Sequence, residues 1–258
     1  MSENVLAFGK YGSGRPLIIL HGLLGSGENW KSQAKHLARR YAVYTPDLRN
    51  HGSSFHDEQM SYPVMAEDVR RMMDEETIAG PLVMGHSMGG KTAMELALRY
   101  PEDVEALVVV DIAPFPYKPV YSNLFSALEK VDVNAVGSRK EAEEQLKPYV
   151  SDRMVRLFLL KNLRRPAAGG FAWRVNLAAL SRHYTDIWGG LEGSRVYRGP
   201  VLFVEGGKSG SGITERWDEI TELFPSAEKA VIPKTGHWVH AEKPREFLHV
   251  VSGFLDSL

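Results

Sequence analysis

A serine between glycines is the first group in this sequence that could do chemistry. The run Gly85-His86-Ser87-Met88-Gly89-Gly90 contains the pattern G-x-S-x-G, which is typical of a sharp strand-to-helix turn that lifts a serine hydroxyl above a sheet edge. Glycine is needed on both sides because so tight a turn leaves no room for side chains. A helix that begins at this serine points its amides and its dipole at developing negative charge. The sequence therefore predicts that Ser87 is a nucleophile.

A serine hydroxyl needs a base to remove its proton, and the chain has nine histidines. His237 is the favoured base because it lies in the loop directly after a late apolar run, where the preceding glycine allows the chain to turn. We interpret His86 as packing beside the nucleophile, and His240 and His249 as surface or helix-face residues.

The base in turn needs a carboxylate that fixes its tautomer and stabilises the imidazolium. The usual place is the turn after the strand predicted at residues 201–204, which contains Glu205 and has Ser209 near the position expected for an aspartate. Asp111 ends the preceding strand and lies one strand nearer the predicted turn at Ser87. We therefore favour Asp111 as the acid and keep Glu205 as the alternative.

Two backbone amides are expected to hold the oxyanion that forms when a carbonyl is attacked. One belongs to Met88, the residue after the nucleophile. The other is expected at Leu23, in the glycine-containing loop 21–27 after the first long strand, where His21 shapes the loop and is not the base. The polar loop 47–54, after the next strand, is expected to brace the site.

The elements that must position these residues follow a simple alternation. Short, continuous apolar runs predict strands buried on both faces; they occupy residues 17–20, 42–45, 82–84, 106–110, 201–204 and 230–232. Apolar residues repeating at three and four predict helices between them, at residues 28–40, 64–78, 89–100, 214–224 and 244–258. This order predicts an α/β fold with a mostly parallel sheet, whose ligands bind beyond the carboxyl ends of the strands.

Residues 115–190 break the alternation. They suggest helices at 122–131, 139–149 and 152–163 and contain no convincing buried strand. Lys and Arg number 12 here against 7 Asp and Glu, a net charge of +5, whereas the rest of the chain carries −6. We interpret this segment as a helical cap inserted into a core formed by residues 1–114 and 191–258.

Composition narrows the function classes. The 258 residues contain no cysteine, which excludes disulfides, thiolate metal sites and a cysteine nucleophile. A net charge of −1 argues against a general nucleic-acid or membrane-surface binder. No apolar run approaches the roughly 18 residues of a membrane helix, and the first residues lack a secretory signature. We expect a cytoplasmic protein with no cofactor, no metal and no membrane span; the sequence does not indicate an oligomeric state.

With these positions in place, the chain resembles the α/β-hydrolase superfamily along nearly its whole length. Within it, residues 85–94, 110–114 and 173–177 look like a branch of small capped bacterial esterases and acyl thioesterases that also includes a mitochondrial abhydrolase. The resemblance implies the α/β-hydrolase fold and a triad of Ser87, Asp111 and His237. It also implies that the acid can follow the earlier strand, in agreement with the missing aspartate near Ser209.

The leading hypothesis is a serine hydrolase that cleaves carboxylic esters of short to medium acyl chains through an acyl-enzyme on Ser87, which water then releases. An acyl thioester such as acyl-CoA stays open as the substrate, with Arg139, Lys140, Arg164 and Arg165 of the basic segment as candidate phosphate ligands. The same triad also serves carbon–carbon bond hydrolysis and perhydrolysis. A non-catalytic small-molecule receptor on the same fold is the alternative from another class.

Overall fold

The computed structural model of the protein describes residues 4–117, 124–167, 169–192 and 195–258. Its strands within these ranges are β1 (Phe8–Tyr11), β2 (Arg15–Leu20), β3 (Tyr41–Pro46), β4 (Leu82–His86), β5 (Ala106–Val110), β6 (Leu163–Arg164), β7 (Ala172–Trp173), β8 (Val201–Gly206) and β9 (Ala227–Ile232). Seven of them form one sheet in the order β1-β3-β2-β4-β5-β8-β9, in which only β1, paired with β3, runs antiparallel. The predicted α/β fold with its mostly parallel sheet is confirmed.

The central strands are buried on both faces, as their continuous apolar runs predicted. Every residue of β3, β4 and β5 is buried, and two apolar clusters pack against the opposite faces of the sheet. The edge strand β1 was not predicted. Its sequence FGKY is half-exposed, so it has no apolar run, and its position depends on pairing with β3.

The helices are α1 (Lys31–Leu37), α2 (Tyr62–Glu75), α3 (Met88–Arg99), α4 (Leu124–Glu129), α5 (Arg139–Leu146), α6 (Arg153–Leu159), α7 (Leu177–Arg182), α8 (Tyr184–Trp188), α9 (Trp217–Leu223), α10 (Val239–Glu242) and α11 (Pro244–Asp256). The five helices predicted for the core are present, shortened at one or both ends by up to a turn. The helix predicted at 28–40 starts instead as a 3₁₀ turn over Gly27–Trp30. Across the described ranges, no helix is both long and apolar enough to cross a bilayer.

The segment between β5 and β8 contains α4 to α8, and its two ends are bonded to each other. The Tyr117 amide donates to the Trp188 carbonyl at 2.9 Å and the Leu191 amide to the Pro114 carbonyl at 3.1 Å. The segment also holds the two-residue antiparallel pair β6–β7, where the sequence indicated no strand, because two residues are too few for any periodicity. Residues 122 and 123 of the first helix predicted here lie outside the described residues. The limits 115 and 190 of a cap stay a prediction.

Candidate active site

Ser87 lies in a strained turn between β4 and α3. Its backbone is left-handed, with φ 53° and ψ −120°, a conformation that costs about 1–3 kcal/mol for a non-glycine residue. The glycines on either side are sterically required: a Cβ on Gly85 would lie 2.1 Å from the Gly89 carbonyl oxygen, and one on Gly89 would lie 2.5 Å from the Leu20 carbonyl oxygen. The turn therefore has the form that the G-x-S-x-G pattern predicted.

Asp111 and His237 are brought together from positions 126 residues apart. The His237 Nδ1 lies 2.7 Å from the Asp111 Oδ2. The other carboxylate oxygen, Oδ1, accepts from the Gly206 amide at 2.7 Å and from the Ser209 hydroxyl at 2.6 Å. Because the carboxylate holds a proton on Nδ1, the Nε2 of the imidazole is left as a base. The hydroxyl of Ser209, where an aspartate was expected, donates to the Asp111 carboxylate.

Ser87 and His237 line one cavity of about 600 Å³. Within the described part of the chain, no hydrogen bond joins the Ser87 hydroxyl to the imidazole. Such bonds are often long before a substrate binds, so the shared cavity together with the Asp111–His237 bond is the geometry that bears on the predicted triad.

Glu205, the alternative acid, has other partners. Its Oε1 accepts from the Ser211 hydroxyl at 2.6 Å, and its Oε2 accepts from the Thr214 hydroxyl. The side chain is buried and organises the loop after β8, so the structure places it as a loop brace rather than beside His237.

The two amides predicted for an oxyanion hole both belong to residues of the cavity wall. Met88 is the first residue of α3, and Leu23 lies in the loop after β2. The neighbouring Leu24 amide is already engaged, since it donates to His51 Nε2 at 3.1 Å. A Cβ on Gly22 would lie 3.3 Å from the Ser87 Cβ, so a glycine lets this loop lie close to the nucleophile.

Two buried histidines hold the loop in place as neutral rings. His21 accepts from the Leu48 amide through Nε2 at 2.9 Å and donates to the Gly22 carbonyl through Nδ1 at 2.8 Å. His51 likewise donates to the Arg49 carbonyl at 2.9 Å. Burial lowers the pKa of His21 to about 4 and that of His51 to about 3. Both nitrogens of each ring are bonded to backbone groups, so neither residue is placed as the base, as expected for His21.

The loop 47–54 is further fixed by a buried ion pair. Arg49 donates from Nε and Nη2 to the two carboxylate oxygens of Asp68 on α2, at 2.6 and 2.9 Å. Because its guanidinium is held in this two-bond ion pair, Arg49 stabilises the loop rather than the reaction centre.

His86 does more than pack beside the nucleophile. Its Nε2 donates to the His237 carbonyl oxygen at 2.8 Å, which ties the loop of the base to the residue before the serine. Burial lowers the pKa of His86, so the ring is a neutral donor.

Of the two positions expected for His240, surface or helix face, the surface position is wrong and the residue lies in a helix, whereas His249 is exposed as predicted. His240 is only 6% exposed, and its ring stacks on Trp30 with centroids 4.2 Å apart. It belongs to α10, a helix of four residues, which is too short to show in the sequence which face is buried.

Lys91 was missed by the sequence analysis. It lies one turn after Ser87 on α3 and is 1% exposed, and its Nζ donates to the carbonyls of Phe115, at 2.8 Å, and Gly189. Burial lowers the pKa of this ammonium to about 7. The available signal was a lysine whose neighbours from Met88 to Met94 are all small or apolar. These two carbonyls belong to the first and last parts of the segment between β5 and β8.

Comparison with known proteins gives one consistent result. A model of the alpha/beta hydrolase fold family matches residues 15–244. The sn-1-specific diacylglycerol lipase ABHD11 of Xenopus laevis is 42% identical over 95% of this chain and 80% of its own. Esterase YbfF of Escherichia coli is 34% identical over 93% of both chains. A solved structure of a marine microorganism esterase superimposes with a TM-score of 0.95 at 39% identity, covering 98% of this chain and all of its own.

Proposed function

The chain belongs to the α/β-hydrolase family, and from that premise we propose that it is a serine hydrolase that cleaves carboxylic esters through an acyl-enzyme on Ser87. Its relatives include esterases and a lipase, which supports ester hydrolysis. The single observation that carries the proposal is the bond of 2.7 Å between His237 Nδ1 and Asp111 Oδ2, because His237 lines the same cavity as Ser87.

The first half of the proposed reaction acylates the enzyme. His237 Nε2 takes the proton of the Ser87 hydroxyl while the Oγ attacks the acyl carbonyl, and the carbonyl oxygen becomes an oxyanion. The amides of Met88 and Leu23 donate to that oxygen. Asp111 stabilises the imidazolium and stays ionised. The imidazolium then gives its proton to the departing alkoxide, so that an alcohol leaves and an acyl-serine remains.

The second half releases the acid. Water loses a proton to His237 Nε2 and attacks the acyl-serine carbonyl, and the same two amides hold the second oxyanion. When it collapses, the Ser87 oxygen leaves with the proton from His237, and the product is a carboxylic acid. No cofactor or metal takes part in these steps.

An apolar cavity wall supports the proposal that the substrates have short to medium acyl chains. Beyond the turn at Ser87, the cavity is lined by apolar side chains, among them Met88, Ile112, Leu124, Ile187 and Trp188. The last three come from the segment between β5 and β8, and we propose that residues 115–190 form a cap over the site. A volume of about 600 Å³ lies within the roughly 300–1,000 Å³ of small-molecule sites.

The test is a series of p-nitrophenyl esters from acetate to palmitate, with the Ser87→Ala variant as the blank. We expect turnover that peaks at short or medium chains and is absent in the blank, together with labelling by a fluorophosphonate probe that the variant loses. Labelling without turnover of any ester or thioester would instead favour a receptor, and turnover of thioesters alone an acyl thioesterase.

A matched pair of variants tests the acid. Asp111→Asn should lower turnover by about 10⁴, because the imidazole would lose the partner that fixes its tautomer. Glu205→Gln, a change of the same kind one strand away, should cost less than about tenfold. The reverse order would assign the acid to Glu205.

A further inference from the structure

A second cavity, of about 630 Å³, adjoins the one that contains Ser87. It lies between residues 24–31, which lead from the loop after β2 to the first residue of α1, and the segment between β5 and β8. The residues that line both cavities are Leu24, Gly25, Asn29, Leu157 and Lys161. The two cavities therefore share part of their wall, and we call the second one the basic cleft.

The wall of the basic cleft is cationic although the chain as a whole has a net charge of −1. Its charged residues are Lys31, Arg139, Lys140, Lys161 and Arg174 against Glu28 and Glu143, which leaves five positive charges facing two negative ones. Such a concentration of one sign in a concave surface attracts anions.

The acidic residues do not neutralise these cations. Glu143 faces Arg156 at 3.4 Å and Arg153 at 3.5 Å, neither of which lines the cleft. Among the described residues, none of the five cleft cations forms an ion pair with a carboxylate. A surface that serves only solubility mixes both signs, whereas this one leaves its guanidinium and ammonium groups available.

The cleft is also anchored to the reaction centre. Asn162 on its wall donates from Nδ2 to the Leu24 carbonyl at 2.7 Å, beside Leu23, whose amide is proposed for the oxyanion. Arg139 is held by a bond of 2.7 Å from Nη2 to the Leu163 carbonyl. These bonds fix part of the cationic wall relative to the loop at the nucleophile, so an anion bound there has a defined position.

We propose that the basic cleft binds a phosphate group on the leaving-group side of the substrate, so that esters or thioesters whose alcohol or thiol is phosphorylated are preferred. Arginine and lysine are the usual ligands of phosphate. The acyl chain then occupies the apolar part of the first cavity. The reaction is unchanged: the phosphorylated alcohol or thiol leaves with the proton from His237, and water releases the acid. The proposal rests on the proposed function.

Of the four candidate phosphate ligands suggested by the sequence, two lie in the basic cleft and two do not. Arg139 and Lys140 line the basic cleft, whereas Arg164 and Arg165 do not. Arg165 donates to the Gly137 carbonyl and covers the ring of Phe171. Arg164 is exposed and serves as a control position.

The experiment compares phosphorylated substrates with their unphosphorylated counterparts. One pair is acetyl-CoA and S-acetylpantetheine, and the other is 1-butyrylglycerol 3-phosphate and 1-butyrylglycerol, so that nucleotide and glycerol phosphates are distinguished. We expect kcat/KM at low salt to be at least tenfold higher for the phosphorylated member of one pair. Lys31→Glu/Lys140→Glu should remove that advantage and leave p-nitrophenyl butyrate turnover within about twofold.

The matched control is Lys130→Glu/Arg164→Glu, which makes the same change in net charge at exposed residues outside the cleft. It should keep the preference, and equal effects of the two double variants would overturn the proposal. So would equal kcat/KM values within both pairs in a wild-type enzyme that turns over p-nitrophenyl butyrate. Calorimetric titration with CoA and with glycerol 3-phosphate measures the cleft without catalysis: binding without turnover would reject the proposed function alone, and absence of binding would reject the cleft.

Discussion

Replacing His240 with phenylalanine should make the protein more resistant to acid. The imidazole stacks on Trp30 and faces Phe247 at a centroid distance of 6.1 Å. Its Nδ1 is buried without a hydrogen-bond partner in the described residues. A phenyl ring keeps the aromatic packing and loses no hydrogen bond at Nδ1, so the free energy of unfolding at pH 7.5 should stay within about 1 kcal/mol of wild type.

The variant is more stable than wild type only below neutral pH. Burial lowers the pKa of His240 to about 3, while an unfolded histidine titrates near about 6.5. Between these values the unfolded chain binds a proton that the folded chain does not, so stability is complete above about pH 6.5 and falls as the pH falls. At pH 5.0, 1.5 units below the unfolded value, the loss from this one residue is about 2 kcal/mol at about 1.4 kcal/mol per unit.

Urea unfolding at pH 7.5 and pH 5.0 measures this difference. Wild type should lose about 2 kcal/mol more than His240→Phe between the two pH values, while the other buried histidines, present in both proteins, cancel. The control is His249→Gln, on an exposed position of α11, which should match wild type. If the free energy of unfolding falls equally in wild type and His240→Phe, the assignment of His240 as a buried, uncharged imidazole is refuted.

Three further predictions follow from single contacts. Gly85→Ala should prevent folding to a soluble enzyme, because its Cβ would lie 2.1 Å from a backbone oxygen of α3. The control is Gly253→Ala, whose Cβ would have nothing within 4 Å. It should raise the free energy of unfolding by up to about 1 kcal/mol in a urea titration. Ser209→Ala removes a bond of 2.6 Å to the carboxylate of Asp111 and should lower kcat about tenfold with KM little changed, since a hydrogen bond to a charged group contributes about 1.5–3 kcal/mol; an unchanged kcat would contradict this. Burial lowers the pKa of Lys91 to about 7, so above that pH the unfolded chain binds a proton that the folded chain does not. The free energy of unfolding of wild type should therefore rise, relative to that of Lys91→Met, by up to about 1.4 kcal/mol per pH unit from pH 7.5 to 9.0. Parallel stability curves for the two proteins would contradict this prediction.

Most of the fold could be predicted because its signals are local. Continuous apolar runs identified β2, β3, β4, β5, β8 and β9, and helical periodicity identified the core helices between them. What was missed has no local signal. The half-exposed β1 becomes a strand only by pairing with β3, and the pair β6–β7 and helix α10 have two and four residues, which is less than a period can show.

The same division holds at the site. Ser87 directly follows β4, and His237 lies in the loop after β9. A glycine pattern marks the first in the sequence, and a glycine-containing loop marks the second. Their supports depend on contacts between distant segments: Ser209 with Asp111, and Lys91 with the Gly189 carbonyl, each 98 residues apart in the chain. No window of sequence contains both members of such a pair, so the burial of Lys91 and the role of Ser209 needed the structure.

The position of the Asp111 carboxylate depends on hydrogen bonds between neighbouring strand ends. Ser87 and Asp111 both have left-handed backbones, with φ 53° and 54°, and each amide donates to the next strand: Ser87 to the Val110 carbonyl at 3.1 Å, and Asp111 to the Val204 carbonyl at 2.8 Å. These bonds hold both strained residues at adjacent strand ends. An aspartate at position 209 would place a second carboxylate where the Ser209 hydroxyl now donates to Asp111 Oδ1 at 2.6 Å, and two like charges at that separation repel strongly. An acid after β5 therefore requires a donor after β8, so the serine at 209 and the carboxylate at 111 are two parts of one arrangement.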